Sequence, residues 1–337
     1  MNDKIDLVVL WVDGNDPAWI EDRQRYEKST QIDNIGNEAN NKSRYRDYDL
    51  MEYFFRGIEK NMPWVNNVFF VSYGHLPKCL NTDNPRLKII NHKDYIPKEY
   101  LPTFNSNVIE LNLHRIPDLS ENFIILNDDM FVIDKIPEEM FFVNNVPCDT
   151  LTAKVMVDYS WYGMIYNVCF NNMGIINKYF SGNKPFFKWV NLHYGLRDNI
   201  ANMVHRLYNK YSAFEDQHIP IAHKKSIFET VWSKEEKTLD LMCHNRFRAR
   251  TDFSHWLMRY WRLASGDFKP FNVKKLGYYT AIPNDYDEII DILKNKKSKI
   301  LLLNDGEFES EQLYEDQISH IREQLQILYP EKSSFEK

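Results

Sequence analysis

Four short apolar segments along the chain have the pattern of buried β-strands. They are residues 5–11 (IDLVVLW), 68–71 (VFFV), 87–90 (LKII) and 123–126 (FIIL). Such nearly unbroken apolar runs are typical of parallel strands that are covered on both faces. Because helical patterns separate several of them, the sequence predicts an α/β fold with a Rossmann-like, mostly parallel sheet and flanking helices.

Helical periodicity is clearest in two places. One predicted helix would bury Leu50, Tyr53, Phe54 and Ile58. The other, near the end of the chain, would bury Leu313, Ile318, Ile321, Leu325 and Leu328. Residues 299–305 (KILLLND) predict a further strand before that second helix. The Asn-rich segment 21–45 lacks such periodicity and predicts a mobile insertion or lid.

Between about residues 140 and 211 the chain contains many aromatic residues with little periodicity. We therefore expect an aromatic-rich, largely helical subdomain within a single unit, residues 1–337. In this layout residues 1–139 and 215–310 form the α/β core, 140–214 form the aromatic-rich insertion, and 310–337 form a C-terminal helix and tail. The aromatic residues would serve mainly core packing; a sugar-acceptor surface is the alternative.

Polar and acidic residues directly follow the predicted strands. Asp13 and Asp16 lie in the loop after the first strand, and Asn127, Asp128 and Asp129 follow the fourth. Because open parallel sheets bind ligands at the carboxyl ends of their strands, these side chains are candidates for one site. Plain turns are the alternative, since Asp-Gly and Asp-Pro are turn formers. The first strand is not followed by G-x-G-x-x-G, which argues against an NAD-type dinucleotide site.

Residues 101–130 (LPTFNSNVIELNLHRIPDLSENFIILNDDM) place a helical pattern just before the fourth strand. Asn105 stands where the N-cap of this helix is expected. Asn107, Glu110 and His114 are three and four residues apart, so a helix would stack them on one face. The segment thus predicts an imidazole, a carboxylate and an Asp pair in one place. Taken alone, a histidine such as His114 after a helical pattern is more often a structural side chain than a catalytic one.

Composition limits the classes of function. A hydrophobic content of 43% is sufficient for a folded core, and the apolar runs are too short to span a membrane. The first residues do not have the pattern of a signal peptide, so we expect a cytoplasmic protein. The four cysteines have no zinc-binding spacing. The net charge of −6 argues against nucleic-acid binding, and a phosphate-bearing ligand would need local cations. Arg246, Arg248 and Arg250 form the densest cluster of cations.

Several of these motifs resemble conserved regions of the Stealth proteins. The loop WVDG-x-DP resembles the first region, and residues 101–130 together with a YRD motif that contains Arg46 resemble the second. The segments that begin at His218 and His244 resemble the third and fourth. Stealth proteins are sugar-1-phosphate transferases of bacterial capsular polysaccharide synthesis. They are related to the catalytic part of the animal lysosomal-enzyme GlcNAc-1-phosphotransferase. The resemblance covers almost the full length of the chain.

The resemblance implies two groups of site residues. The implied catalytic residues are Asp128, Asp129, His114, His218 and Arg248. The implied substrate-binding residues are Asp13, Asp16, Arg46, Asn105, Glu110, Asn127 and Asp252. Asp128 and Asp129 would also hold Mg²⁺ or Mn²⁺, since hard cations prefer carboxylate oxygens. Which carboxylate is a base and which is a metal ligand stays open.

The resemblance also implies a reaction. A hexose-1-phosphate or N-acetylhexosamine-1-phosphate would move from a UDP-sugar to a hydroxyl of an oligosaccharide or lipid-linked glycan acceptor, and UMP would leave. A metal-dependent glycosyltransferase that releases UDP is an alternative, because an Asp pair after a strand suits both mechanisms. A carbohydrate-binding scaffold is a third interpretation. Peripheral contact with membrane-bound capsule-assembly machinery is also expected, at the inner face of the membrane.

Overall fold

The first strand lies in the middle of a five-stranded sheet in the computed structural model of the protein, which describes residues 3–29, 48–156, 164–181, 185–306 and 308–337. In sheet order the strands are β3 (Leu87–Asn91), β2 (Val68–Ser72), β1 (Ile5–Leu10), β4 (Asn122–Asn127) and β8 (Ile221–Lys224). The first four are parallel, and β8 pairs antiparallel with β4. The predicted α/β class and its four parallel strands are confirmed.

Two small sheets flank this one. The first contains β10 (Gly277–Tyr278), β11 (Ile300–Leu302) and β5 (Met130–Val132), and the second contains β6 (Phe142–Val143), β7 (Val146–Asp149) and β9 (Lys269–Pro270). The strand predicted within 299–305 is therefore confirmed, although it lies outside the main sheet. It pairs antiparallel with β5, and the Leu303 N–H donates to the Asp129 carbonyl at 2.8 Å. This pairing places Asn304 and Asp305 beside the loop that follows β4.

The described helices connect and cover these strands. They are α1 (Pro17–Ser29), α2 (Met51–Asn61), α3 (Ser106–Leu111), α4 (Met164–Tyr179), α5 (Phe186–Trp189), α6 (Leu196–His205), α7 (Lys225–Cys243), α8 (Trp256–Ser265), α9 (Tyr286–Asn295) and α10 (Glu311–Leu328). The apolar stripe predicted for α2 is buried, as are Ile318, Ile321 and Leu325 of α10. The insertion predicted for 21–45 is wrong at its start, because residues 21–29 continue α1. The remainder of that prediction, from residue 30, lies outside the described residues.

Alternate side chains of the main sheet enter two cores, as the period of two along a strand requires. Leu7 and Val9 of β1 face a core that contains Phe54 of α2 and Ile321 of α10. Val8 faces the opposite core, which is built from α3, α4, α7 and α8. Helices thus cover both faces of the sheet and leave its carboxyl edge for ligands. None of the helices in the described ranges is long and apolar enough to cross a membrane.

Candidate active site

Two cavities adjoin at the carboxyl edge of the parallel strands. The strand-end cavity has a volume of about 290 Å³ and is lined by residues at the ends of all four parallel strands, among them Trp11, Val71, His92 and Asp128. The larger cavity, of about 540 Å³, extends toward α4 and α8 and contacts Met164 and Trp256, among others. Six residues line both cavities: Ser106, Glu110, Asn127, His218, Arg248 and Asn304. We call these six the shared wall.

Helix α3 brings Ser106 and Glu110 to the shared wall. Asn105 caps this helix, because its side-chain oxygen accepts a hydrogen bond from the Asn107 N–H at 3.1 Å. Ser106 and Glu110 are four residues apart and therefore lie on the same face of the helix. The predicted N-cap is confirmed. Asn105 itself is fully buried and lines neither cavity, so the structure places it behind the wall.

Arg248 reaches the shared wall from the loop that precedes α8. Its guanidinium donates to the Ser106 hydroxyl oxygen at 2.7 Å. Of the other two arginines in this cluster, Arg246 donates to the Pro102 carbonyl at 2.6 Å and Arg250 is exposed. Among the three arginines of this cluster, the structure brings Arg248 alone to the cavities.

Asp252 fixes the loop that carries Arg248. This carboxylate is fully buried and accepts hydrogen bonds from the side-chain amides of Asn105, Asn107 and Asn245, at 2.8, 3.1 and 2.8 Å. It also accepts the Ala249 N–H at 3.0 Å. Burial raises the pKa of Asp252, and these hydrogen bonds partly oppose the rise. Asp252 lines neither cavity and holds the loop against the start of α3.

Glu110 is the carboxyl group of the shared wall. Its side chain is 12% exposed, and burial raises its pKa to about 7. The positive charges of Arg248 and His218 oppose this rise only in part. His255, whose Nε2 lies 3.8 Å from Glu110 Oε2, contributes no charge, because burial lowers its pKa to about 3. A carboxyl group that titrates near neutral pH is suited to accept or donate a proton during a reaction.

Asp129 and His218 form a second polar pair beside Glu110. His218 Nε2 lies 3.4 Å from Asp129 Oδ2. Burial alone would lower the pKa of His218, but the hydrogen bond with Asp129 and the charges of Asp129 and Glu110 raise it overall. The other oxygen, Asp129 Oδ1, is buried and has no hydrogen-bond partner among the described residues. This arrangement gives an imidazole whose pKa lies above its ordinary value and one carboxylate oxygen with spare bonding capacity.

A buried ionic network anchors the segment before His218. Arg259 of α8 binds Asp149 through two nitrogens, at 3.0 and 2.9 Å, and binds Asp216 at 2.9 Å. Arg262 binds the same Asp149 at 2.7 Å. Because Asp216 lies two residues before His218, this network positions the histidine through the backbone. Replacing one partner would leave a buried charge uncompensated.

Asp13 and Asp16 use their carboxylates in hydrogen bonds within the loop that follows β1 and with the start of α1. Asp16 caps α1 by accepting the Trp19 N–H at 2.7 Å, and the Asp13 carboxylate accepts the Asn15 N–H at 2.8 Å. Neither of these aspartates lines a cavity. Arg46 lies outside the described residues.

His114 is not on the face of α3 that carries Glu110, so that expectation is wrong. The helix ends at Leu111, and His114 belongs to a separate 3₁₀ turn. Its ring packs against Phe228 and Trp232 of α7, at 5.9 and 5.8 Å between ring centroids. Burial lowers its pKa to about 3. The structure thus favours the structural alternative for this histidine.

Other residues of the cavities were not identified as candidates from the sequence. Ser106 follows the predicted N-cap Asn105, and His255 follows Asp252 by three residues, but neither position has a sequence signal of its own. Asn304 and Asp305 carried a usable signal, because they follow a strand in the same way as Asn127 and Asp128 do. The antiparallel pairing of β11 with β5 could not be predicted from either segment alone.

Three carboxylates of the strand-end cavity could take part in holding a hard cation. Asp128, Asp129 and Asp305 line it. In the described part of the chain, no three His, Cys, Asp or Glu side chains are grouped closely enough to hold a metal by themselves. Mg²⁺ commonly uses one or two carboxylates together with substrate phosphates and water. The buried, unpartnered Oδ1 of Asp129 fits that mode of binding.

Comparison with known proteins agrees with the sequence motifs. Residues 3–31 match the model of Stealth protein CR1, conserved region 1, and residues 44–149 match Stealth protein CR2, conserved region 2. The chain is 40% identical over the full length of both proteins to a capsular polysaccharide phosphotransferase WcwK of Streptococcus pneumoniae.

Two more distant relatives cover nearly as much of the chain. An exopolysaccharide phosphotransferase cps2G of Lactiplantibacillus plantarum is 32% identical over 99% of this chain and 96% of its own length. A receptor polysaccharide phosphotransferase WefC of Streptococcus gordonii is 33% identical over the whole of both chains. Together with the two matching regions, these relatives show that the chain belongs to the Stealth family and is a phosphotransferase, as its motifs predicted.

Proposed function

We propose that the protein transfers a hexose-1-phosphate or N-acetylhexosamine-1-phosphate from a UDP-sugar to a hydroxyl group of a capsular or other cell-surface glycan and releases UMP. The observation that carries this proposal is the shared wall. It sets one arginine, one histidine and a carboxyl group of raised pKa between two cavities. Two cavities that meet at such a wall suit a reaction in which a charged group is transferred from a donor in one cavity to an acceptor in the other.

The strand-end cavity is the better candidate for the nucleotide part of the donor. Trp11, Trp19 and Phe104 are buried and give it an apolar lining that suits a uracil base. Arg248 stands between this cavity and the larger one, where a diphosphate would reach the shared wall. The acceptor glycan then enters through the larger cavity, which has Gln217, Trp256 and Tyr279 as partners for sugar hydroxyls and ring faces.

The reaction forms one bond to phosphorus and breaks another. The acceptor oxygen attacks the phosphorus that carries the sugar, the bond from that phosphorus to the oxygen of UMP breaks, and the anomeric bond of the sugar stays intact. The proton of the acceptor hydroxyl passes to the Glu110 carboxylate, which is partly ionised near neutral pH. Arg248 neutralises the equatorial oxygens through a planar fork of donors. Protonated His218 stabilises the departing phosphate oxygen.

A divalent cation fits this arrangement. Asp128 and Asp129 would hold Mg²⁺ beside the diphosphate, and the ion would neutralise phosphate charge in the chain of net charge −6. Asp129 then has two tasks, because its Oδ2 faces His218 while its Oδ1 has no partner among the described side chains.

The leaving nucleotide tests the proposal. Purified protein would be incubated with Mg²⁺, a panel of UDP-sugars and oligosaccharide acceptors, and the nucleotides would be separated by chromatography. We expect acceptor-dependent UMP and a phosphodiester signal in the ³¹P spectrum of the product. Glu110→Gln serves as the inactive control, and Glu229→Gln, an exposed residue of α7, as the matched active control. UDP without UMP would instead identify a glycosyltransferase, and glycan binding without either nucleotide would identify a scaffold.

A further inference from the structure

Helix α6 buries polar residues and exposes apolar residues, which is the reverse of an ordinary surface helix. Its polar residues Asp198 and Asn202 are 5% and 0% exposed, whereas its apolar residues Leu196 and Ile200 are 79% and 55% exposed. A surface helix usually buries its apolar stripe and exposes its polar face. The inverted orientation therefore needs an explanation.

Hydrogen bonds hold the polar face of α6 inside the protein. The Asn202 amide donates to the Leu151 and Trp189 carbonyls, each at 2.7 Å, and its oxygen accepts the Ala153 N–H at 2.7 Å. All three bonds are buried, so rotating the helix would leave several polar groups unsatisfied. Asp198 adds an ionic contact of 3.5 Å with Lys274. The outward direction of the apolar residues is thus fixed by the core.

The exposed apolar residues of α6 lie on one side of the helix. Leu196, Ile200 and Met203 follow the spacing i, i+4 and i+7, and the exposed Leu207 follows in the turn after the helix ends at His205. Phe187 of the preceding α5 adds a side chain that is 79% exposed. We call Phe187, Leu192, Leu196, Ile200, Met203 and Leu207 the apolar face. Apolar patches of this kind on soluble proteins mark sites of interaction with a protein or a membrane.

The charges around the apolar face distinguish between these two partners. Residues 185–211 contain four cations, Lys188, Arg197, Arg206 and Lys210, and a single acidic residue, the buried Asp198. The chain as a whole has a net charge of −6, so this segment has the opposite sign. Lys188 is half-buried and donates to the Phe268 carbonyl, whereas Arg197 and Lys210 are exposed. Exposed apolar side chains with exposed cations in the same segment match an anionic lipid surface, where apolar side chains enter the boundary of the acyl chains and cations contact the headgroups.

We propose that the apolar face docks the protein on an anionic lipid bilayer. Only side chains enter the membrane, because α6 has ten residues and lies along the surface. This docking does not depend on the phosphotransfer reaction, and a protein that fails to release UMP would still bind vesicles through α5 and α6.

Vesicle co-sedimentation of the full chain tests this proposal. One set of vesicles contains phosphatidylglycerol and phosphatidylcholine, and the other contains phosphatidylcholine alone. We expect binding to the anionic vesicles that weakens as salt is added. The double substitution Leu196→Gln with Leu207→Gln should lower the vesicle partition coefficient by roughly tenfold or more, because two apolar side chains are lost from the membrane contact. The matched control is Leu241→Gln with Ile327→Gln, two exposed apolar residues on α7 and α10, and should bind like the wild type.

A charge substitution keeps the test informative if the double variant folds poorly. Arg197→Gln should weaken binding to anionic vesicles by about fivefold, whereas Lys237→Gln, an exposed residue of α7, should not. Wild-type protein that stays in the supernatant with anionic vesicles would overturn the proposal. Equal losses in the patch and control variants would also overturn it. A third result would overturn it as well: light scattering shows that the wild type is a dimer, the double substitution dissociates this dimer, and neither protein sediments with vesicles.

Discussion

Replacing Glu110 by Gln should remove activity and at the same time stabilise the protein at neutral and alkaline pH. The carboxyl group of Glu110 is 12% exposed, and burial raises its pKa to about 7. The ionised form is therefore less stable in the folded chain than in water. Gln keeps the shape of the side chain and carries no charge.

The size of the effect follows from the pKa shift. A rise from 4.5 to about 7, at about 1.4 kcal/mol per pKa unit, makes ionised Glu110 cost the folded state roughly 3 kcal/mol. Between these two pKa values the unfolded chain has lost the proton and the folded chain still holds it. The contribution of Glu110 to the free energy of unfolding is therefore complete below pH 4.5, falls as the pH rises toward 7, and is lost above that.

Urea unfolding at pH 5, 6, 7 and 8, followed by tryptophan fluorescence, measures this contribution. Glu110→Gln should differ little from the wild type at pH 5, and its advantage should grow to roughly 3 kcal/mol at pH 8. Glu229→Gln, at an exposed position of α7, should show no such trend. In parallel, kcat of Glu110→Gln should fall on the order of 10² to 10⁴-fold, the usual worth of a positioned base. The wild-type kcat/KM should rise with pH through about 7, because the base must be ionised.

A destabilised Glu110→Gln at pH 8 would refute this reasoning. It would mean that Arg248 and His218 stabilise the carboxylate by more than burial costs it, and that Glu110 is ionised well below neutral pH. An advantage of the same size at every pH would also refute it, because the pH dependence is the part that comes from titration. Full activity in this variant would remove Glu110 from the proposed mechanism.

Three further predictions concern the remaining site residues. Arg248→Ala should lower kcat by roughly 10³ or more and Arg248→Lys should restore only part of it, whereas the exposed neighbour Arg250→Ala should have little effect, measured by nucleotide release. Asp128→Asn and Asp129→Asn should each lower kcat by on the order of 10², measured by nucleotide release, and wild-type turnover in both would contradict a metal-binding role. Asp252→Asn should lower the free energy of unfolding by about 1–3 kcal/mol, because the new amide group would face the side-chain donors of Asn105, Asn107 and Asn245. An unchanged free energy of unfolding would contradict the role of this buried network.

The sequence was sufficient to predict the sheet and the edge where the cavities lie. Three of the parallel strands, β1, β2 and β4, are apolar and buried at nearly every position, a pattern typical of strands covered on both faces. The fourth, β3, lies at the edge of the sheet, where Lys88 and Ile89 are exposed. The antiparallel strand β8 was missed because Ile221–Lys224 is short and runs directly into α7. Its assignment depends on pairing with β4, which is a contact between distant parts of the chain.

The individual side chains of the site were predicted less completely. Helical spacing placed Glu110 correctly, because α3 continues to Leu111. The same spacing failed at His114, because the chain leaves the helix at Asn112 and the imidazole packs between rings of α7. Asp16 does follow β1, as predicted, but its carboxylate caps α1. The partners of His114 belong to α7, whose position the local pattern does not contain, whereas the partner of Asp16 is the backbone N–H three residues later.

Buried polar residues connect the fold to the chemistry. Two residues that resemblance assigns to substrate binding, Asn105 and Asp252, are fully buried and hydrogen-bonded to each other at 2.8 Å. They join the start of α3, which carries Glu110, to the loop that carries Arg248. An exchange at Asp252 should therefore lower kcat through the position of Arg248 and also lower stability, whereas an exchange at Arg248 should lower kcat alone. Such a difference would separate residues that position the catalytic side chains from residues that contact substrate. Sequence motifs do not make this distinction, because both kinds of residue occur in the same motif.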